Sequence, residues 1–452
     1  MNNILPLIAL MLIAFAAIAH ADDGSRPVTL MDGRFFTFVG LVRVNQIEVT
    51  RDRNLGNDEA KEHTVEAVRS MRDHLEQAFP GARMTWAFSL LALQDQRDNY
   101  KAIRAQVVEY HRKLGDEITF IPGAYFAPMH NSREQVNRDL HDGLKLVSDM
   151  VGDGYRPRSV VAGFLAADNQ RFLADQEGIH VCQGTIWSQF GIDNGDGDGS
   201  ISYPYYPSRE HYCKPAQNAT DFIDCVCLDG WTCDFLAARR PGFAGGFNSR
   251  MGLGPIETVM NLGQETGIKE QIHTTALHFD DGYKRNGFGW VTAIWEVSLG
   301  DRAFGSLPLY GAEVRRRWPD AQCVTVGEFG EAFRQKFKDN AHLDYRFVER
   351  GSGIGGSDAN LEIRWFMNRD FRLALLRDWT TDSPEHVIDF TRYDLKAEEP
   401  KDLGRNWSLM NRINQKGSRP QDKPALLSEL PAEDQAVIRK RLPELFEHGV
   451  KR

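Results

Sequence analysis

Between Phe35 and Ile186 the chain repeats one pattern: a short apolar run, then a longer stretch with apolar residues at helical spacing. Phe35 to Val49, Met84 to Leu91, Glu117 to Phe126, Ser159 to Ala166 and His180 to Ile186 read as strands. Apolar residues on both faces mark strands buried between two layers. Asn57 to Ala78 carries Val65, Val68, Met71, Leu75 and Ala78 at helical spacing, and Pro80-Gly81 ends it. Tyr100 to Leu114, Ser132 to Val151 (opened by the capping pair Ser132 and Gln135) and Asn169 to Glu177 are the other helices. Strand and helix in turn, at roughly 30–40 residues per unit, restrict the fold to parallel βα units. Right-handed crossovers close such units into a barrel.

The alternation breaks at Trp187. Residues 187–255 form a long insertion rich in Gly, Asp, Tyr and Pro, with Leu228 to Phe235 as a strand inside it and Ile256 to Thr266 as a helix after it. Gln271 to Phe279 reads as a late strand ending in His278, Asp280 and Asp281, followed by a helix around 290–299. Gln322 to Phe337 is a last strand–helix unit. Leu343 to Arg350, Asn360 to Asn368, Phe371 to Trp379 and His386 to Tyr393 have the alternation of a small antiparallel β module. The expected organisation is a (β/α)7-type barrel domain over 34–340 with insertion 187–255, a β module over 341–395, and a polar tail over 396–452 that ends in a helix from Pro431 to Glu447.

The 452 residues suffice for one large domain and a smaller appendage. A net charge of −9 argues against nucleic acid or an anionic membrane as the main partner. Ile4 to Ile18 is apolar, and Ala19-His20-Ala21 fits a cleavage site. Residues 1–21 therefore read as a signal peptide, with an uncleaved anchor as the alternative, and the expected compartment is secreted or periplasmic. No later segment is apolar enough to span a bilayer. Of the six cysteines, Cys213, Cys225, Cys227 and Cys233 crowd the insertion. Their spacing is a poor zinc match, and one or two disulfides pinning the insertion, with some free buried thiols, are expected.

Carboxylates at the C-terminal lip of parallel strands are candidates for catalysis, because that lip is where such folds bind ligands. Asp168 follows the fourth strand, and Asp280 and Asp281 follow the late one. Across one barrel mouth they make the acid and the nucleophile or base of glycoside hydrolysis. The ordinary readings are an N-cap for Asp168 and a turn for Asp281-Gly282. Exposed aromatics beside polar groups suit an oligosaccharide or polysaccharide. The expected binding residues are Asn45, Glu48, Trp187, Asp193, Asp196, Tyr205, Asp229, Trp231, Arg250, Glu257 and His278. Arg250 favours an acidic sugar or another carboxylate-bearing substrate, and Glu257 also reads as a helix-start charge. Asn194-x-Asp196-x-Asp198-Gly199 copies the first half of a calcium loop, but Tyr205 stands where the bidentate Glu belongs. A divalent cation, calcium or zinc, stays open, with no ligand set assigned. His273 and His278, five apart on a strand, face opposite ways.

The chain resembles the glycoside hydrolase/deacetylase superfamily of seven-stranded (β/α) barrels over about residues 34–337. Gly115-Asp116-Glu117-Ile118, Phe172-Leu173-Ala174 with Glu177-Gly178-Ile179, Ala276-Leu277-His278 and Val324-Thr325-Val326-Gly327-Glu328-Phe329 carry the likeness. NQIEVTRDRN, DEITFIPGAYF, IDNGDGDGSI and LDGWTCDFLAARR are similar to a secreted bacterial family of unassigned reaction within it. The resemblance implies a carbohydrate context, with a carboxylate after strand four and an Asp after strand seven in the hydrolase branch. The metal-dependent deacetylases imply an Asp-Asp pair after strand one and a His-x-x-x-His. Here strand one ends in Val44-Asn45-Gln46-Ile47-Glu48, and no His-x-x-x-His occurs. A glycoside hydrolase is the leading expectation. A deacetylase with an atypical site (Glu48, His278, Asp280) and a non-catalytic glycan binder are the alternatives.

Overall fold

The computed structural model describes residues 28–50, 53–188, 197–239, 250–404, 407–409 and 424–447. The expected signal peptide lies outside the described residues, as do Asp193 and Asp196 of the calcium-like loop.

β1 (Arg34–Val42) is the spine of the molecule, buried from Phe35 onward. The chain then leaves the barrel in a hairpin, β2 (Asn45–Thr50) with β3 (Arg53–Asp58), where a single strand to Val49 was expected. Glu48 causes the break. Its carboxylate accepts from the Val44 amide at 2.8 Å and the Ser89 hydroxyl at 2.6 Å, folding the chain back over the next strand. β4 (Thr85–Ser89) and β5 (Glu117–Ile121) continue the parallel sheet, and β6 (Val160–Val161), β7 (Val181–Thr185) and β8 (Val226–Asp229) form a second parallel run. β9 (Gly289–Glu296) pairs in parallel with β1 from Arg34 to Leu41.

Side chains and loop backbone close the two gaps. Ser159 donates to Glu117 at 2.9 Å between β5 and β6, and the Thr232 amide donates to the Thr292 carbonyl at 3.0 Å between β8 and β9. β10 (Ala321–Val324) pairs with the first half of β1 on the side where β4 takes the second half. The result is a distorted barrel of seven parallel strands among the described residues, with β10 wedged at its base.

Two readings of the second half reverse. Gln271 to Phe279 is not a strand: it belongs to a helix, Gln264–Ala276, that runs into a wide turn of helix at Leu277–Gly282. The strand is the next segment, β9, where a helix was expected. Buried Thr274 and Thr275 gave the first segment its strand-like composition, but the Thr275 hydroxyl bonds back to the Gln271 carbonyl at 2.7 Å and is satisfied within the helix. The expected insertion 187–255 contains a barrel strand, β8. Its tyrosines do not form exposed walls: Tyr203, Tyr205 and Tyr206 are buried in the core. The six cysteines are free, buried thiols rather than disulfides. Cys182 and Cys227 stand opposite each other on β7 and β8 and pack as small apolar side chains.

β11 (Asp344–Arg350), β12 (Leu361–Asn368), β13 (Phe371–Asp378) and β14 (His386–Arg392) form the antiparallel sheet in sequential order. One arginine fastens it. Arg372, fully buried on β13, bonds Asp198 at 2.7 Å, Asp389 at 2.8 Å, and the Trp187 and Ser200 carbonyls at 2.9 Å each. Removing one member of a buried, hydrogen-bonded ion cluster leaves uncompensated charge. Arg372→Met is expected to lower unfolding free energy by about 3–5 kcal/mol in urea titrations. A loss below about 1 kcal/mol would show that water reaches Asp198 and Asp389.

Candidate active site

The C-terminal ends of the barrel strands open on a narrow cavity. Leu41 and Arg43 come from β1 and its exit, Tyr125 from the loop after β5, Trp231 from the turn after β8, and Glu296 from the end of β9, with Arg250 beside them. Tyr125 and Trp231 pack with ring centroids 5.6 Å apart, and the Arg250 guanidinium lies 5.1 Å from the Trp231 ring centroid. The Trp231 indole donates to the Ile294 carbonyl at 3.0 Å, which fixes the ring on the wall.

Two arginines frame Glu296. Arg43 makes a bidentate pair with Glu59, at 2.7 and 2.8 Å, and also approaches Glu296 at 3.8 Å. Arg250 pairs with Glu257 at 2.9 Å. Burial raises the Glu296 carboxyl above the usual carboxylate range, and Arg43 and Arg250 offset that only in part. Glu59 moves the other way: the Arg43 hydrogen bonds and charge hold it below that range despite its burial. Two carboxylates on one arginine, pushed apart, are the electrostatic mark of an acid beside a fixed anion. Among the described residues Glu296 is the carboxylate that lines the cavity.

The expected site residues scatter. Asp168 is exposed on the helix Ala167–Asp175, 3.2 Å from Arg171, and lines a shallow outer hollow. Asp280 accepts from the Trp318 indole at 2.7 Å, and Asp281 from Arg285 at 2.6 Å and the Val348 amide at 3.0 Å. Both precede β9 and so sit at the base of the barrel, whereas Asp168 follows β6 at its mouth. The structure does not bring this pair together, because the segment bearing Asp280 and Asp281 is a helix entering a strand rather than a strand leaving the barrel.

His278 is boxed by Tyr203, Phe235 and Phe347, with Nδ1 3.1 Å from the Tyr203 hydroxyl, and burial lowers its pKa to about 3. With Glu48 held by backbone and Ser89 donors, the set Glu48, His278 and Asp280 does not form a metal site. Trp187 is buried against Phe235 and Trp365. Tyr205 donates to the Tyr212 carbonyl at 2.6 Å. Asp229, buried, accepts from the Trp187 and Gly230 amides at 3.1 and 2.9 Å, and burial raises its pKa. Asn45 opens the β2–β3 hairpin opposite Asp58. Trp231 and Arg250 are the expected residues that line the mouth, with Glu257 behind Arg250. Glu296, Arg43 and Tyr125 were missed. Glu296 was hidden because its strand was read as a helix; a polar residue ending the run Trp290-Val-Thr-Ala-Ile-Trp295 was the available signal.

Comparison with known proteins adds the family context. The model described as a domain of unknown function with solved structure, DUF3863, matches residues 28–367, and a second so described, DUF3864, matches residues 372–445. The two matches meet between β12 and β13, inside one continuous sheet. A Parabacteroides distasonis crystal structure, presented as a candidate glycoside hydrolase/deacetylase, is 51% identical, with a TM-score of 0.89 over 93% of this chain and 100% of that one. A Pseudomonas aeruginosa protein presented as a polysaccharide deacetylase shares 12% identity and a TM-score of 0.43, covering 67% of this chain and 91% of that one, too distant to bear on chemistry. No curated protein matches the chain.

A histidine kept neutral in the fold gains its proton more readily when unfolded. His278 therefore contributes stability above its ordinary pKa of 6.5 that is lost as pH falls toward about 3. His278→Phe is expected to flatten the acid-side loss of stability in urea melts taken across that window. Parallel pH profiles for the two proteins would show that His278 takes up its proton inside the fold.

Proposed function

The chain belongs to the DUF3863 family, and from that premise and the barrel mouth we propose a carbohydrate-active hydrolase whose acid–base group is Glu296. The observation that carries the reading is Glu296 at the end of β9, partly buried, between Arg43 and Arg250 and beside Tyr125 and Trp231. Trp231, 4% exposed with Arg250 across its face, backs the mouth at which an oligosaccharide or polysaccharide would bind. Burial keeps the Glu296 carboxyl protonated above the usual carboxylate range, so it can hand a proton to a leaving glycosidic oxygen. Arg43, aimed by Glu59, limits how far that pKa rises and stabilises the carboxylate that remains after proton transfer. Tyr125 packs its ring against Trp231 at the mouth, with its hydroxyl buried on the inner side towards Gln183. The description of the 51%-identical relative supports the substrate class. Residues 1–21 deliver the enzyme out of the cytoplasm, where polysaccharide is met.

The test is a panel of neutral, uronic-acid-bearing and acetylated oligosaccharides, read for new reducing ends and for free acetate. New reducing ends are expected. Acetate without reducing ends would replace glycoside cleavage by deacetylation, and binding without either product would leave a glycan-binding protein. Glu296→Gln is expected to cut kcat by about a hundred- to ten-thousand-fold with the melting temperature kept. A fully active Glu296→Gln protein would remove Glu296 from the chemistry. Because a general acid works protonated, activity falls as pH rises through the Glu296 pKa. Arg43→Met removes a charge that lowers this pKa, so the alkaline limb is expected to move to higher pH. A limb that stays in place would assign it to another group.

A further inference from the structure

The helix Gln264–Ala276, one strand of the C-terminal sheet and the loop after Trp231 meet at a second cluster of polar groups. Glu270 and His273 stand three apart on the helix and so share one face. Glu349 is on β11, where the inward positions are Tyr345, Phe347 and Glu349. Asp234 follows the turn that carries Trp231. Asp234, Glu270 and Glu349 are all buried.

Each of the three carboxylates is anchored by one oxygen and leaves the other bare. Asp234 Oδ1 accepts from the Ala237 amide at 2.5 Å, Glu349 Oε2 from the Leu236 amide at 2.9 Å, and Glu270 Oε2 from the Ser352 hydroxyl at 2.6 Å. The opposite oxygens, Asp234 Oδ2, Glu349 Oε1 and Glu270 Oε1, are buried with no hydrogen-bond partner, as is His273 Nε2. His273 Nε2 lies 3.4 Å from Glu349 Oε1 and 4.0 Å from Asp234 Oδ2, and single donor atoms of the three residues fall within 4.8 Å of one another. Ligands about 2.0–2.2 Å from a tetrahedral ion are about 3.3–3.6 Å apart, and in an octahedron neighbouring ligands are about 2.8–3.1 Å and opposite ones about 4.0–4.4 Å apart. Bare carboxylate oxygens buried together cost several kcal/mol unless a cation or protons answer them. Burial and the neighbouring Asp234 charge raise Glu270, and the same causes raise Glu349.

We propose that Asp234, His273 and Glu349, joined by Glu270, bind one divalent transition-metal ion of the zinc or manganese kind. Three hard oxygen donors and one imidazole nitrogen suit that class better than calcium, which takes oxygen ligands throughout. His273 and Ser352 also line an open groove with Ile268, Ile272, Leu309 and Ile354, so the cluster lies directly behind a groove wall through which an ion can enter. The centre joins the barrel to the C-terminal sheet, with Ser352 as the positioning donor behind Glu270. It stands apart from Glu296 and does not depend on the chemistry proposed there.

Full-length protein, stripped with a chelator and dialysed, is titrated with Zn²⁺, Mn²⁺ or Ca²⁺ alone and read by calorimetry, by thermal melting and by elemental analysis after gel filtration. About one equivalent of Zn²⁺ or Mn²⁺ and a raised melting temperature are expected. Asp234→Asn and Glu349→Gln are expected to abolish retention, and Ser352→Ala to weaken affinity about 10–100-fold. No retained metal and no change in melting temperature in the unsubstituted protein would overturn the proposal, whether or not the variants fold. Stabilisation by Ca²⁺ alone would overturn the imidazole-ligated assignment. Unchanged affinity in Asp234→Asn and Glu349→Gln would place the ion elsewhere.

Discussion

The buried guanidinium of Arg372 ties the antiparallel sheet to the barrel, and much of the remaining order hangs from it. It holds the Trp187 and Ser200 carbonyls and the Asp198 and Asp389 carboxylates. Trp187, so fixed, donates its amide to Asp229 and its indole to the Cys233 sulfur at 3.0 Å. Asp229 precedes Gly230 and Trp231, a wall of the mouth. Cys233 precedes Asp234, a donor of the second cluster. One ion cluster in a low-dielectric interior thus sets the geometry of two polar sites on the same loop, which explains why a charge is kept there at a high desolvation cost.

The mouth itself is built from opposed pairs. Arg43 with Glu59 and Arg250 with Glu257 are nearly neutral units, and Glu296 lies between them with less compensation. Had both arginines been free, Glu296 would be pulled down and fixed as an anion. Had both been absent, burial would have raised it further still. With each arginine paired elsewhere, the effect of burial is offset only in part and the carboxyl stays above the usual carboxylate range.

The first half of the fold was legible because its strands and helices have clean periods and clear ends: Ser132 caps its helix, Pro80-Gly81 stops another, and the Phe35 run is apolar on both faces. The C-terminal strands were legible for the same reason, through alternation and turns. The segment from Gln271 to Glu296 was not. Gln271 to Ala276 is the largely buried last part of a helix whose exposed polar residues, Gln264, Glu265 and Lys269, all come earlier, while β9 carries Trp and Ala at spacings that also fit a helix. That single inversion moved Asp280 and Asp281 to the wrong end of the barrel and hid Glu296. It also hid Glu270-x-x-His273, a pattern that places two ligands on one face only if the segment is helical. Arg250 and Trp231 were found because a charge and an aromatic in a polar loop need no correct element to be noticed.

β1 has a consequence for how the chain is made. Its lower half rests between β9 and β10, and Arg34 meets Asp320 across 286 positions of sequence. The first strand synthesised therefore waits for nearly the last of the barrel before its hydrogen bonds are complete. At about 5–20 residues per second, that is a delay of tens of seconds during which no closed barrel exists. Such a polypeptide remains threadable for as long as it is being made, and it becomes a finished container only once its far end arrives.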